Sequence, residues 1–337
     1  MAGIGSNFVD LIDIEKGKNP DGSMADVIEM LVEMNPMLKD AYAVKCNNGS
    51  THRTTIRTGL PSVTWGALYK GVDQSKSTKA QVEDATGFVE GLSTVDKRLL
   101  DGVANSGAVR LSEAKSFLEA IAQEVQEKLI YGNEALNPNQ FTGLAPRFND
   151  PTAQNGKQLI DGGGTGADNM SIWMVTWGDN QCHTIYPDGS GISAGVQRTD
   201  KGEQRVMDAD GKPYYAMEEM FTQHVGMCVR DWRYVVRICN IDVSNVEAGS
   251  VDLYGLLRKA YYQHEGRRQG MKGKSCIYMN STALEALDAL ATNAGASDNF
   301  IRLRPMDVQG EEVMSYRGIP IRETDALLET EAAITGF

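Results

Sequence analysis

The sequence predicts an α+β fold organised along one long helix. Three observations carry that expectation: a stretch, Ser112 to Tyr131, whose apolar spacing permits only a helix; a polar, two-stranded segment from about Cys46 to Val95; and a strand-rich middle followed by a lobe that mixes helices and strands. In the first, Phe117, Leu118, Ile121, Ala122, Val125 and Leu129 recur at intervals of three and four and stack as one stripe, while Glu113, Glu119, Gln123, Glu124, Glu127 and Lys128 fall elsewhere. Ser112 is placed to cap the first amides, Glu124 and Lys128 stand four apart for an ion pair, and Gly132 with Asn133 ends the run. At a rise of about 1.5 Å per residue such a helix spans about 30 Å, long enough to lie along a sheet as a strut.

Taken in order, residues 1–22 mix single apolar side chains with Gly, Asn and Asp and end in the turn signal NPDGS, which reads as an arm lying on another surface. Ser23 and Asp26 resemble a capping box, and Val27, Ile28, Met30, Leu31 and Met34 continue as a short amphipathic helix up to Pro36. Then Thr54, Ile56 and Thr58 alternate with Arg53, Thr55 and Arg57, and a return leg runs from Gln81 to Val95. The stretch between them, LYKGVDQSKSTKAQ, is polar and Lys-bearing with no apolar run, so the whole is a projecting hairpin. A hairpin alone is marginal and needs another surface to lie on, one that a neighbouring subunit could supply.

After the long helix come a Pro- and Gly-rich crossing, NPNQFTGLAPRFND, and the loop DGGGTGADN. Strands are expected in SIWMVTW, CHTIYP, EQRVMD and KPYYAM (joined at Asp210-Gly211), HVGMCV and RYVVRICNI. From Val251 a helix VDLYGLLRKAYYQ, a strand SCIYM, a cap at Asn280, a helix TALEALDALATN and a closing strand around YRGIPIRE make a compact α/β lobe.

The chain has 337 residues and a net charge of -12, which argues against a protein whose main work is to grip phosphates. The five cysteines, Cys46, Cys182, Cys228, Cys239 and Cys276, form no CxxC, so neither a disulfide framework nor a zinc site is indicated, and a reduced, cytosolic setting without an export signal is expected. No apolar stretch is long enough for a membrane span. Gly162, Gly163, Gly164, Gly166 and Ala167 match GxGxxA in form, but a strand pattern follows where a dinucleotide loop needs a helix. His52, His183, His224 and His264 lie in no metal or triad spacing and read as ordinary surface or strand histidines; Cys182 and His183 are adjacent, hence on opposite faces of a strand. No catalytic set, cofactor site or metal site emerges, and an enzyme is not expected.

Two basic features remain. Arg258, Lys259, Arg267, Arg268, Lys272 and Lys274 surround one turn, opposed only by Glu265, and are either solvated or in contact with an acidic neighbour. In RYVVRICNI, Tyr234, Val236 and Ile238 share one face and Arg233, Val235 and Arg237 the other, so the arginines are expected to point outward from the apolar face, into water or onto carboxylates.

The motifs NPDGSMADVIEML, HRTTIRTGLPSVTW, the long helix through YGN, FTGLAPRF, GMCVRDWRYVVRICNID, IYMN and YRGIPIRETDAL resemble their counterparts in major capsid proteins of short-tailed bacteriophages, over nearly the whole chain. The resemblance implies the tailed-phage major capsid fold named after phage Hong Kong 97, with GMCVRDWRYVVRICNID placed before the last lobe, a permuted segment order. It implies an N-terminal arm (1–45), an extended E-loop hairpin (46–95), a P-domain (96–150 and 168–245) holding the spine helix, and an A-domain (151–167 and 246–337). It further implies a subunit that assembles with itself into hexamers and pentamers of an icosahedral shell, with portal, scaffold and decoration proteins as partners, around double-stranded DNA that an acidic chain would enclose without sequence-specific binding. The shell of an encapsulin-type compartment and a cytosolic α/β enzyme are the alternatives. Arg233, Arg237, Arg267, Arg268, Lys70, Lys76 and Lys79 are the candidate inter-subunit contacts. Some relatives crosslink through a loop lysine, but no motif marks a partner for Lys70, Lys76 or Lys79, so a noncovalent shell is expected.

Overall fold

The computed structural model describes residues 35–103, 105–208, 210–268, 273–293, 303–308 and 311–337. The arm of residues 1–22, the amphipathic helix expected up to Met34, and Lys272 lie outside them. Its helices are α1 (Pro36–Asp40), α2 (Lys97–Asp101), α3 (Ser106–Tyr131), α4 (Leu144–Arg147), α5 (Val243–Glu247), α6 (Leu253–Gln263) and α7 (Ser281–Asn293). Its strands are β1 (Ala43–Lys45), β2 (Thr51–Gly59), β3 (Thr78–Asp96), β4 (Leu159–Asp161), β5 (Asn169–Trp177), β6 (Cys182–Tyr186), β7 (Val196–Met207), β8 (Pro213–Val229), β9 (Val235–Asp242), β10 (Lys274–Met279), β11 (Arg304–Val308), β12 (Glu311–Tyr316) and β13 (Ile319–Glu323). They form one 13-stranded sheet whose main path runs β11-β12-β13-β10-β5-β6-β8-β3-β2, with β1 on β6, β7 on β8, and the β4–β9 pair on β5.

Helix α3 begins six residues before Ser112, because Asn105 rather than Ser112 supplies the cap: its side-chain oxygen accepts from the Ala108 amide at 3.1 Å. The added turn buries Val109 against Val95 and Leu100. Ile121, Val125 and Leu129 are buried as the spacing predicts, whereas Leu118 stays exposed and Gln126 and Ile130 go inside. Gly132 does not take a left-handed conformation; it is needed for closeness, since a Cβ there would stand 2.5 Å from the Lys128 carbonyl oxygen. Gly91 on β3 lets the helix lie equally close, a Cβ there meeting Phe117 at 2.8 Å, and Phe117 stacks on Phe221 of β8 at 5.5 Å. Lys128 makes the expected pair with Glu124 at 3.6 Å, but a closer one with Glu127 at 2.6 Å.

The sheet is the wall between two cores. On β5, Trp173, Val175 and Trp177 join the core beneath α3, while Ile172 and Met174 face the core beneath α6 and α7. Burial on both faces is why this strand reads as an unbroken apolar run. The expected strands KPYYAM and HVGMCV are one continuous strand, β8, since the polar stretch between them keeps the alternation with Glu219 and Gln223 turned inward. Arg317 and Gly318, both at positive φ, form the turn between β12 and β13 inside the expected closing strand. The DGGGTGADN stretch opens no helix, in line with its sequence reading: the Gly162 and Gly164 amides donate to the carbonyls of Cys239 and Asn240.

His264, just past α6, is buried, with Nε2 2.9 Å from the Tyr234 carbonyl oxygen and 3.1 Å from Thr176 Oγ1. Burial pushes its pKa down to about 4. The unfolded chain, titrating near 6.5, therefore binds the proton first. This contribution is complete above pH 6.5, is lost as the pH falls towards 4, and amounts to up to about 3 kcal/mol. Urea unfolding of the unassembled chain is expected to show stability falling between those limits, and the fall is expected to be shallower in His264→Asn.

Candidate assembly surfaces and the contacts that hold them

The two arginines of the β9 region separate on inspection. Arg233 is exposed and paired with Asp231 at 2.7 Å, consistent with a solvated side chain. Arg237 does not point outward: it is 5 % exposed, because the face it shares with Val235 and Cys239 packs into the core beneath α3. The alternation of the strand was legible, but both faces are covered. Arg237 donates from Nη2 to Glu331 at 2.9 Å, from Nε to Ser171 at 3.1 Å and from Nη1 to the Phe148 carbonyl at 2.8 Å, and its guanidinium lies 5.1 Å from the Trp173 ring centre. The outward-facing assembly role expected for Arg237 is thus overturned by burial.

Glu331 belongs to the C-terminal tail, which leaves the lobe and runs back across the core beneath α3. Its second oxygen accepts from Tyr131 at 2.6 Å, and Ser171 bridges it to Arg237. Burial beside that carboxylate pushes the Tyr131 phenol up, so the hydroxyl keeps its proton. Tail and strand also exchange backbone bonds between Asn169 and Glu331. Gln126 of α3 donates to Thr324 at 2.7 Å, and Asn240 clasps both the amide and the carbonyl of Ile334 at 2.8 Å. Asn240 sits at φ 55, a conformation that asparagine tolerates better than most residues.

Other buried charges tie extended pieces to the body in the same way. Asp40 of α1 accepts from Lys274 at 2.6 Å and from Tyr278 at 3.0 Å, and Tyr278 in turn accepts from Trp177 at 2.7 Å. Asp84 of β3 pairs with Arg147 at 2.7 Å, whose guanidinium also bonds the Thr142, Gly143 and Met227 carbonyls. Glu219 of β8 pairs with Arg110 of α3 and with Arg198 of β7.

The hairpin of β2 and β3 divides in two. Its inner part is integral to the sheet, with β3 paired to β8 from Thr86 to Asp96 and His52, Thr54, Asp84 and Val95 buried. The hairpin expected to project as a whole therefore projects only in its outer part. There the link from Leu60 to Ser77 leaves Leu60, Val63, Trp65, Leu68, Tyr69 and Val72 exposed, Trp65 at 102 %. These apolar side chains are scattered rather than in a run, so no sequence pattern marks them. Lys70 and Lys76 are exposed on this link, and Lys79, exposed on β3, stands opposite Arg57 in the ladder.

On the lobe, Arg268 pairs with Glu265 at 2.7 Å and Arg267 lies over Tyr262 at 5.5 Å. Arg317 lies against Tyr261, Tyr262 and Tyr316, so Arg267 belongs to a cluster of arginines and tyrosines, Tyr262 exposed and Tyr316 buried, that sequence spacing could not reveal. Arg258 and Lys259 line an open cleft with Asp161, Asp242 and Asp252, and Lys274 is the strand residue held by Asp40. The acidic neighbours of this basic cluster therefore include the chain's own carboxylates, not Glu265 alone.

His52, His183 and His224 lie on strands, one of the two expected settings, while His264 is neither on a strand nor at the surface; His52, His183 and His264 are buried. His52 and His183 meet Cys228, with ligand atoms within 4.8 Å of one another, a set that no sequence spacing marks because each lies on a different strand. No helix among the described residues is long and apolar enough to cross a membrane.

Compared with known proteins, a family model described as major capsid protein GP7 matches residues 19–335. A chain of the bacteriophage epsilon15 structure is similar over 100 % of both chains, at TM-score 0.78 and 34 % identity. The bacteriophage JBD30 capsid is similar at TM-score 0.49 and 9 % identity, over 87 % of this chain and 91 % of that one. The holo-SrpI encapsulin complex of Synechococcus elongatus PCC 7942 is similar at TM-score 0.45 and 10 % identity, over 70 % and 96 %. Likenesses as distant as these last two decide nothing about function. No curated protein matches. The fold and its projecting hairpin define the class, a shell subunit with the tailed-phage capsid fold. Within that class the chain belongs to the major capsid protein GP7 family, and it forms the capsid shell of the virion.

Because Arg237 and Glu331 are both buried, removing one leaves the other uncompensated. Arg237→Ala is expected to lower the stability of the unassembled subunit by about 3–5 kcal/mol, far more than loss of a surface pair. Arg237→Met combined with Glu331→Gln is expected to recover part of that loss in urea unfolding.

Proposed function

We propose that copies of this chain close into an icosahedral shell of hexamers and pentamers, held without covalent crosslinks, in which the outer hairpin of one copy lies on the body of the next. The observation that carries this reading is the hairpin tip. Six exposed apolar side chains on one short link, Leu60, Val63, Trp65, Leu68, Tyr69 and Val72, are costly in water and favourable once covered, at about 25 cal/mol per Å² buried. Charge acts in the same direction. Between residues 57 and 79, Arg57, Lys70, Lys76 and Lys79 outweigh Asp73 to give +3, so a chain of net -12 carries -15 elsewhere. A basic, apolar tip meeting an acidic body is complementary between copies, favouring both encounter and register.

In this reading the segments from 46 to 95 act as the E-loop, residues 96–150 and 168–245 as the P-domain, and the lobe as the A-domain, with the tail from Thr324 grouped with the P-domain it packs on. Residues 1–45 form the arm. The body's acidity favours enclosing double-stranded DNA without gripping it; portal, scaffold and decoration proteins are the further partners, and the host cytoplasm is the place of synthesis. The work is structural rather than enzymatic.

Trp65→Asp with Leu68→Asp changes only exposed positions, so the subunit is expected to keep its unfolding midpoint while shells disappear from electron micrographs. Normal shell yield would remove the docking assignment. Denaturing gels of boiled parental particles are expected to show one band at subunit mass, and a ladder of multimers would contradict the noncovalent shell.

A further inference from the structure

At the root of the hairpin, three buried side chains from three strands converge: His52 on β2, His183 on β6 and Cys228 on β8. His183 and Cys228 are direct partners across the β6–β8 ladder, which puts their side chains on one face, and His52 meets His183 edge-on at 5.5 Å between ring centres. At close hydrogen-bond distance neither ring nitrogen of His183 has a partner, the Gly178 backbone being its nearest acceptor, nor does Nδ1 of His52, although His183 is fully buried and His52 nearly so. Buried polar groups normally find partners, and two buried imidazoles beside a thiol with so few close hydrogen bonds are a costly arrangement for a core that serves packing alone. Asp84, opposite His52 in the β2–β3 ladder, keeps one carboxylate oxygen on Arg147, and its carboxylate also lies within reach of the Cys228 thiol.

We propose that His52, His183 and Cys228 form a binding site for a zinc-type divalent cation, with Asp84 or a water completing four ligands. Two imidazoles and one thiolate suit a borderline-soft ion of tetrahedral preference and do not suit magnesium or calcium. Bond lengths of about 2.0–2.3 Å place tetrahedral ligand atoms about 3.3–3.8 Å apart, so the trio closes by about 1 Å through side-chain rotation. On binding, Cys228 releases its thiol proton to solvent and the sulfur electron pair forms the bond to the ion. The ion would pin β2, the root of the projecting hairpin, to the central strands β6 and β8. The site stands or falls independently of how the tip docks.

The test uses the untagged full-length chain. After dialysis against metal-free buffer, elemental analysis of the parent is expected to find about one zinc per chain. Both His183→Asn and Cys228→Ser are expected to fall below about a tenth of that, while His224→Gln, outside the cluster, is expected to keep it. Since a core variant can fail to fold, a second measurement needs no variant: the chelated parent titrated with cobalt(II) is expected to develop tetrahedral visible bands and a thiolate-to-cobalt charge-transfer band, saturating at one equivalent. Substoichiometric zinc in the parent together with no thiolate band on cobalt titration would overturn the site, as would equal zinc content in the parent and a folded Cys228→Ser.

Discussion

An arginine held beneath a long helix and out of water must be paired, and in this chain its carboxylate partner comes from 94 residues further along. That demand accounts for the path of the last segment. Having completed β13 between β12 and β10 in the lobe, the chain turns back so that Glu331 reaches Arg237, and Ala326 and Leu327 fill the core beneath α3 on the way. Tyr131 at the end of the helix, Ser171 on β5 and the Phe148 carbonyl then hydrogen-bond to the pair. One buried ion pair thereby joins helix, sheet and tail, and fixes the lobe against the body from a second direction.

The same economy governs the other extended pieces. Asp40, Asp84 and Glu219 are each buried and each bound to a cation on a different element. A charge buried on an arm is a poor way to gain stability but a strict way to fix position, since every misregistered placement leaves it unpaired. The hairpin thus has a root set by Asp84 and Arg147 and an outer part with no such anchor. Rigid root and free apolar tip are what a subunit needs if its arm is to find a second copy rather than its own core.

Much of this was legible in the sequence where periodicity and local chemistry decide. The stripe of α3, the Asn280 cap, the strand positions and the non-helical glycine stretch follow from spacing of near neighbours. What was not legible depends on residues far apart in sequence. Alternation in RYVVRICNI separates Arg237 from Val236, but only the arrival of Glu331 tells that both faces are inside. Glu219 and Gln223 made one strand look like two, because the cations that allow a buried glutamate sit on α3 and β7. His52, His183 and Cys228 share no spacing, since the ladder rather than the chain brings them together. The apolar tip was masked by composition: six scattered apolar residues among lysines look like a solvated loop until their exposure is seen.

The account separates a self-contained body, locked by its tail, from an arm completed by another copy. Hydrogen exchange measured on unassembled subunits and again on shells tests that separation most directly. In unassembled subunits the bonded amides of the tail, Thr324 and Ile334 among them, are expected to be as protected as those of β5, while residues 60–77 exchange freely and become protected in shells. A tail that exchanges as fast as the hairpin tip in unassembled subunits, or a tip already protected there, would contradict it.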